Sequence, residues 1–589
     1  MDLDARKPDT TPIIDPRAGD IEDDQSSTTR RTLISLAGSL LSEVSLSKLM
    51  LAWVLIVGLP GVLLGAAPLV VSVWVAKVSS RVAAVSMEIL PAVVLAVLVA
   101  IGWFGGRRLF RLVEGSFWSL NALAVQPAYV LCREGVRHVA ERGLSSAAND
   151  GMRASLRSAS ALVSGLLICA ASMWVVSLAW PLSRWTASLA HVESLNWLAS
   201  TIAANAIVIV ASYLAGSALV WGVADATMRQ PRDLRDFSLP QPHDRQWRVA
   251  HLSDIHVVGE RYGFRLESGR SGPQGNERLR QILARLEDIH RKARLDIVLV
   301  TGDVTDAGRS SEWSEFFDAL EAFPDIASIL LILPGNHDVN VVDRANPARI
   351  NLPTSPMKRL RQLRAISALS AIEGERVFIV DPSTGKLGQT LAKALEPRRI
   401  EMATFANEGS IRLSLPLADL WASVFPMIVP PATDDGLGII MLNSNAESHF
   451  SFSNALGMIS AEQANAIDLA AKQFPRAHWI VALHHHLVEY PKPPKALSER
   501  IGTALSNGTW FVRHLQRLAD HVVVMHGHRH IDWIGVCGGV LIVSAPSPIM
   551  QDADGVVPYF YVHTLAAGPD GRVRLLQPER VELAGMHAS

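Results

Sequence analysis

At 589 residues the chain is too long for one ordinary domain, and 49% of it is hydrophobic, a share that leans toward a membrane protein. The formal net charge of −1 supplies no bulk field to recruit nucleic acid, so no nucleic-acid polymer is expected as a partner. Three cysteines, Cys132, Cys169 and Cys537, lie far apart with neither metal-like nor disulfide-like spacing, and nothing depends on an oxidising compartment.

Residues 1–45 are polar and acidic with no apolar run, which predicts a disordered cytoplasmic tail and argues against a signal peptide. A membrane domain is expected over 46–228. It holds four long apolar stretches, 49–76, 82–106, 158–183 and 194–224, uncharged except for Glu88 near the start of the second. Each exceeds the roughly 20 residues a helix needs to cross the hydrocarbon core. Glu88 sits close enough to a helix end to reach headgroups, so it is read as no more than that. A weaker stretch, 115–132, includes Asn121, Gln126 and Pro127 and reads as interfacial or tucked against the bundle.

Basic residues orient these spans. The 107–157 segment carries Arg107, Arg108, Arg111, Arg133, Arg137, Arg142, Arg153 and Arg157, and Arg229, Arg232 and Arg235 follow the last span. The other two loops are poorer, with Lys77 and Arg81 in one and Arg184 in the next. Four spans with both ends cytoplasmic satisfy that bias. The expectation is a multi-pass protein of the inner (cell) membrane with its C-terminal half in the cytoplasm.

That half, 246–589, changes character. WRVAHLS, DIVLVTG, SILLILPG, GIIMLNS, HWIVALH, HVVVMHG and GVLIVSA each read as a buried strand. Between the first two, Leu279, Ile282, Leu283, Leu286 and Ile289 recur at helical spacing over 276–293. Strand, helix, strand is an α/β pattern. Residues 341–435 read as an insertion with helical patches and a Pro-rich loop.

The strand ends carry the chemistry. Ser253-Asp254-Ile255-His256, Gly302-Asp303, Gly335-Asn336-His337-Asp338, His484-His485-His486 and Gly527-His528-Arg529-His530 each follow a predicted strand. Ligands of open α/β sheets collect at the carboxyl ends of strands. Imidazoles with carboxylates and no cysteine suit zinc, iron, manganese or nickel, not a structural thiolate zinc site. A carboxylate between two such ions can bridge them, and an ion pair can clamp a phosphoryl group.

D-x-H, G-D, G-N-H-D, a strand-borne His and G-H-x-H, in that order over roughly 246–550, resemble the calcineurin-like metallophosphoesterases. HLSDIH, TGDVTDAG and LPGNHDVN look most like the branch containing bacterial cyclic-nucleotide phosphodiesterases. The resemblance implies an α/β/β/α sandwich behind the transmembrane helices and two divalent or trivalent metal ions (manganese, iron or zinc). By motif it makes Asp254, His256 and His530 ligands of one ion and Asn336, His484 and His528 ligands of the other, with Asp303 bridging. It makes His337 the general acid, with Asp338 orienting its ring. His485 is the alternative to His484, which ends the apolar run as the family pattern expects. His526 should face the opposite side, His251 should be a core histidine, and His290 and His449 carry no motif. Asn443 and Asn445 are candidates to face the site. Arg344 could neutralise a substrate phosphate, a solvated surface arginine being the blander reading. Insertions at the place of 341–435 cap the site in this family.

Two function classes follow. One is a membrane-anchored dimetal phosphoesterase acting on a small-molecule phosphodiester or phosphomonoester, such as a cyclic nucleotide, or on a lipid-linked phosphate or pyrophosphate. The other is a non-catalytic membrane sensor that keeps the fold. Lost ligands would favour the second, and none is lost.

Overall fold

The computed structural model describes residues 12–16, 58–85, 121, 125–142, 150–186, 195–260, 276–342, 350–351, 355–381, 386–409, 411–447, 449–450, 454–491, 505–549, 557–568 and 570–583. The chain forms two units, one within 35–228 and one from 229–589 together with the N-terminal tail.

The first unit is helical: α1 (Leu59–Val85), α2 (Gln126–Arg142), α3 (Asp150–Ala179) and α4 (Leu195–Ala226). Three stretches, Leu59–Lys77, Gly151–Leu182 and Leu195–Ala226, are long and apolar enough to cross a membrane. They correspond to the first, third and fourth predicted spans; most of the second, 82–106, lies outside the described residues. One boundary differs from expectation. Lys77 and Arg81 are not in a loop, because α1 runs on to Val85; between Leu69 and Val85 the sequence has no Gly or Pro to stop it.

Small residues set the packing of α3 on α4. A Cβ at Gly165 would come within 2.7 Å of the Ala218 carbonyl oxygen, and one at Gly222 within 3.0 Å of the Ala161 oxygen and the Gly165 Cα. Close backbone approach of this kind is how membrane helices gain contact where lipid is as apolar as they are. Gly222→Leu should therefore force the helices apart and destabilise this unit by about 1–3 kcal/mol, the usual penalty of overpacking. Thermal unfolding in detergent checks it, with Gly216→Ala as control, since a Cβ there meets nothing within 4 Å. An unchanged midpoint for Gly222→Leu would contradict the packing.

Polar side chains tie the helices of this unit together. Asn205, fully buried in α4, donates to the Gly65 carbonyl of α1 at 3.0 Å and to the Arg184 carbonyl at 2.8 Å, and accepts from the Arg184 N–H. Tyr129 and Arg133 of α2 reach Asp225 near the end of α4 at 2.9 and 2.7 Å. The second half of the 115–132 stretch is thus packed against the bundle.

The second unit stacks two sheets. The first has six strands: β1 (Arg245–Leu252), β2 (Ile297–Val300), β3 (Leu330–Ile332), β12 (Tyr559–Ala567), β13 (Val573–Leu575) and β14 (Glu579–Glu582). Its order is β13–β12–β1–β2–β3, with β14 also on β12. The second has nine: β4 (Phe378–Asp381), β5 (Lys386–Thr390), β6 (Met427–Val429), β7 (Leu437–Met441), β8 (His478–Ala482), β9 (Val522–His526), β10 (Trp533–Cys537), β11 (Val540–Ser544) and the pair Arg232–Asp233. Its order runs from Arg232–Asp233 through β10, β11, β9, β8, β7, β6 and β4 to β5. All seven predicted strands are present. β1–β2–β3 run parallel out to one edge of the first sheet and β7–β8–β9–β11 form the parallel centre of the second; β8 is buried throughout, as central parallel strands are.

One core joins the sheets, with Val298, Val300, Leu331 and Val562 from the first and Ile439, Met441, Ile480, Val523, Met525 and Val543 from the second. Helices α5 (Glu277–Lys292), α6 (Ser310–Glu321) and α8 (Pro356–Glu373) bury apolar side chains in it, and the one-turn α7 (Asn336–Val339) adds Val339. This is the expected α/β/β/α sandwich. Two sequence readings change in detail. The described part of 341–435 extends the architecture: α8 enters the core and β4, β5 and β6 continue the nine-stranded sheet. And the tail is not featureless, since Ile13 and Ile14 pack on the core.

Candidate metal centre

The parallel strands of both sheets end at a common place. Beyond β1 and β2 the chain turns sharply while remaining laced together: Asp254 N–H donates to the Gly302 carbonyl at 3.0 Å, His256 N–H to the Asp303 carbonyl at 3.0 Å, and Gly527 N–H to the His484 carbonyl at 3.1 Å. These turns use left-handed backbone. Among the described residues six non-glycine positions have positive φ; five of them are Asp254 (56°), His256 (45°), Asp303 (51°), His528 (76°) and His530 (56°). Such backbone persists where the surroundings over-determine it, typically at functional sites. Gly302 (φ 96°) has no alternative: a Cβ would lie 2.5 Å from the His484 ring.

Two groups of side chains hold the sequence-predicted ligands, and His256 stands in a third with Asp306 and His337. In one, His530 Nε2 lies 3.2 Å from Asp254 Oδ1 and 3.3 Å from His256 Nε2. In the other, His484 Nε2 lies 3.2 Å from Asp303 Oδ2, 3.0 Å from His528 Nδ1 and 3.1 Å from Asn336 Oδ1. Asp303 Oδ2 is also 4.0 Å from His256 Nε2, so this carboxylate stands between the groups. All seven sequence-predicted ligands are thereby brought together. Of the histidine triplet, His484 is the one turned inward; His485 Nδ1 meets Ser444 Oγ at 2.8 Å.

Hydrogen bonding among these atoms does not close. His484 Nδ1 faces the Thr301 carbonyl at 2.8 Å, which can only accept, so Nδ1 carries the proton and a neutral ring turns its Nε2 lone pair on a carboxylate oxygen and another imidazole nitrogen. His256 Nδ1 and His528 Nε2 are buried without a hydrogen-bond partner, and Asp254 Oδ1 has the His530 ring nitrogen beside it. Convergent lone pairs in a buried place require a cation. When only protons supply it, the titrations are strained accordingly. Burial disfavours charge on His484, yet Asp303 beside it lifts it to about 9. Burial would raise Asp254, but His530 and then His484 hold it at about 2. Burial and the neighbouring His485 and His484 push His528 well down, leaving it neutral, as a ligand must be. The donor set, imidazole and carboxylate in two groups sharing Asp303, fits two metal ions.

His337 borders both groups. Its N–H donates to Asp303 Oδ1 at 2.8 Å, and its Nδ1–H donates to the Asp306 carbonyl at 2.7 Å, with Asp306 Oδ1 3.9 Å away. Burial disfavours its charge, but Asp303 and Asp306 outweigh it and raise its pKa. The expectation that Asp338 orients this ring is corrected. Asp338 accepts from the Thr305 hydroxyl at 2.6 Å and from the N–H groups of Thr305 (2.8 Å) and Gly335 (2.8 Å), so it clamps the two loops together and does not touch the imidazole. Reading the sequence missed Asp306, which also sits 3.5 Å from His256 Nδ1; its one signal was its place three residues after Asp303.

The remaining candidates separate cleanly. His251 meets Thr301 Oγ1 at 3.1 Å in the core, and His526 is fully buried with Nδ1 on the Gly527 carbonyl. His290 Nδ1 accepts from the Leu295 N–H, while His449 lies in a two-residue strand paired with Ile350–Asn351. Asn445 donates to the Pro334 carbonyl at 3.2 Å and to Asn443 Oδ1 at 3.1 Å, bracing the approach to Asn336. Arg344 lies outside the described residues. Arg529, between two candidate ligands, is buried against Glu489 at 3.1 Å and over the Tyr490 ring.

Residues 248–532 match the family model for calcineurin-like phosphoesterases. No curated protein matches the chain. Among solved structures it is similar to a dimetal phosphatase from Danio rerio (11% identity, TM-score 0.33, covering 57% of this chain and 99% of that one). A purple acid phosphatase from yellow lupin, Lupinus luteus, is also similar (14%, TM-score 0.27, 59% and 53%). So is an NAD nucleotidase from Haemophilus influenzae (11%, TM-score 0.27, 58% and 56%). Scores this low leave the chemistry to be read from this chain's own residues.

Proposed function

We propose that the chain is a metal-dependent hydrolase whose strand-end cluster, within the residues 248–532 that match the calcineurin-like phosphoesterase model, cleaves a phosphoester with His337 as general acid. The observation that carries this reading is the convergence, in a largely buried place, of imidazole and carboxylate ligand atoms in two groups, Asp254 with His256 and His530, and Asp303 with His484 and His528. Asp254, His256 and His530 would hold one ion, and Asn336, His484 and His528 a second, with Asp303 shared. Two such ions supply Lewis-acid charge for phosphoryl oxygens and lower the pKa of water.

The other steps belong to the protein. Left-handed turns at five ligands fix their side chains before substrate arrives, so little reorganisation accompanies reaction. His337 commits its Nδ1–H to the Asp306 carbonyl, which leaves the Nε2 proton as the one that moves to the departing oxygen. Asp303 and Asp306 favour the charged ring that holds this proton. Asp338 ties the loop 303–305 to Gly335 and so fixes the distance between shared carboxylate and acid.

For substrate we propose a phosphodiester, a cyclic nucleotide being the small-molecule case suggested by HLSDIH, TGDVTDAG and LPGNHDVN. A lipid-linked phosphate or pyrophosphate is the second reading, favoured by the three helices long and apolar enough to cross a membrane. The arginine bias around the spans supports a cytoplasmic face of the inner membrane for the catalytic domain. A substrate panel on the purified full chain, with manganese, iron and zinc added separately, tests both. Turnover of a cyclic nucleotide but not of a lipid-linked pyrophosphate would favour the first. A fully metal-loaded protein that hydrolyses no phosphoester would sink the enzymatic role and leave the sensor.

A further inference from the structure

Five residues that precede every membrane helix in sequence are part of the catalytic unit in space. They are Pro12-Ile13-Ile14-Asp15-Pro16, an aliphatic pair between two prolines in an otherwise polar tail. Ile14 N–H donates to Ser367 Oγ of α8 at 2.8 Å. Ile13 and Ile14 are half-buried against the hydrophobic core, and Pro16 is buried. Ser367 itself is fully buried, so its hydroxyl needs such a partner.

The sequence is suited to that placement. Pro12 and Pro16 fix their own φ and bias the residues before them toward extended backbone, so less entropy is lost when the segment is ordered. The two isoleucines supply apolar contact that the surrounding tail lacks. Helix α8 is also no passive surface. Towards its N-terminal end Arg361 donates to the Asn340 carbonyl at 2.7 Å, and Lys358 to the Ala446 carbonyl at 3.1 Å. These are the segments that follow the GNHD turn and Asn445. The helix that receives the tail thus also braces two loops bordering the metal centre.

We infer that residues 12–16 are a strap docked on α8, and that the tail and the catalytic domain consequently share one face of the membrane. Between Pro16 and Arg229 the chain must then cross an even number of times. The described residues contain three helices able to cross; an even count with all three crossing needs one more, for which the apolar run 82–106 is the sequence's candidate. This is independent of the arginine bias, because it rests on a contact within one unit and on parity. It also goes beyond the proposed chemistry: it would stand whatever the substrate, and would fall even for an active enzyme.

Full-length chain in sealed membrane vesicles tests both parts, with Cys132, Cys169 and Cys537 replaced by serine. Asp15→Cys and Asp236→Cys, each at an exposed position, are labelled with a membrane-impermeant maleimide. Both should react in vesicles of one orientation and both be protected in the other. Reaction from opposite faces would overturn the even count. Separately, Ile14→Cys with Ser367→Cys should form an intrachain disulfide under mild oxidation, since the Ile14 backbone N–H lies 2.8 Å from the Ser367 oxygen that the new sulfur replaces. Ile14→Cys with the exposed Ser328→Cys should not. Absence of the first bridge, or equal bridging in both pairs, would overturn the docked strap.

Discussion

Asp303→Asn should leave a folded protein that binds less metal and turns over at least about 10²–10³-fold more slowly, the scale of losing one preorganised electrostatic group. The fold should survive because asparagine tolerates the left-handed backbone that Asp303 adopts. It should also keep the contact with the His337 N–H, since an amide oxygen can replace Oδ1 there. What it cannot replace is Oδ2, which lies 3.2 Å from His484 Nε2 and 4.0 Å from His256 Nε2. A neutral amide offers poor compensation to two cations. Elemental analysis, thermal unfolding and kcat on the same preparation separate the effects. Two ions per chain with activity retained would remove Asp303 from the place between the metals.

His337→Ala should behave oppositely toward metal. Its ring touches Asp306 and the edge of the His256 ring but not the atoms around His484, so with His337 as acid and not ligand the metal content should be unchanged while turnover falls by roughly 10²–10⁴-fold, the usual range for a general acid. The loss should depend on the leaving group. A nitrophenolate departs without a proton and should be little affected; an alkoxide such as a ribose oxygen needs one and should suffer most. The pH profile has a definite sign. The protonated ring is the active form, so alkoxide release should decline as pH rises through the pKa of His337, which Asp303 and Asp306 raise against the effect of burial. That alkaline decline should vanish in the alanine variant. Loss of an ion, with equal slowing of both ester types, would make His337 a ligand and leave the acid unassigned.

Much of this was legible because the signals were local. The seven core strands are continuous apolar runs, and α5 shows its buried face at helical spacing from Leu279 to Ile289. Each predicted ligand follows a strand, where a sheet gathers its ligands. What escaped depended on partners distant in sequence. β12 reads Tyr-Phe-Tyr-Val-His-Thr-Leu-Ala-Ala, too mixed to stand out, and is fixed by pairing along β1. β4, β5 and β6 are three to five residues long and form only by adding to the β7 edge of the large sheet. Asp306 looked like one more loop carboxylate until the turn after β2 carried it to His256 and His337. Asp338 looked like the partner of its neighbour in sequence, yet the single turn of α7 points it back at Thr305 and Gly335. Ile13 and Ile14 have no meaning in sequence without α8.

The left-handed turns also limit what this site can become. Outside glycine, the residues that best tolerate positive φ are asparagine, aspartate and histidine, and the five turned candidate ligands are two aspartates and three histidines. Backbone tolerance and donor chemistry select the same short alphabet. A cysteine or glutamate at Asp254, His256, Asp303, His528 or His530 would add to a conformation already costing about 1–3 kcal/mol. Drift toward thiolate-loving metals is thus opposed by torsion before coordination is considered. Exchange among oxygen- and nitrogen-bound metals remains open, so metal preference here should evolve through the neighbours of the ligands, not through the ligands themselves.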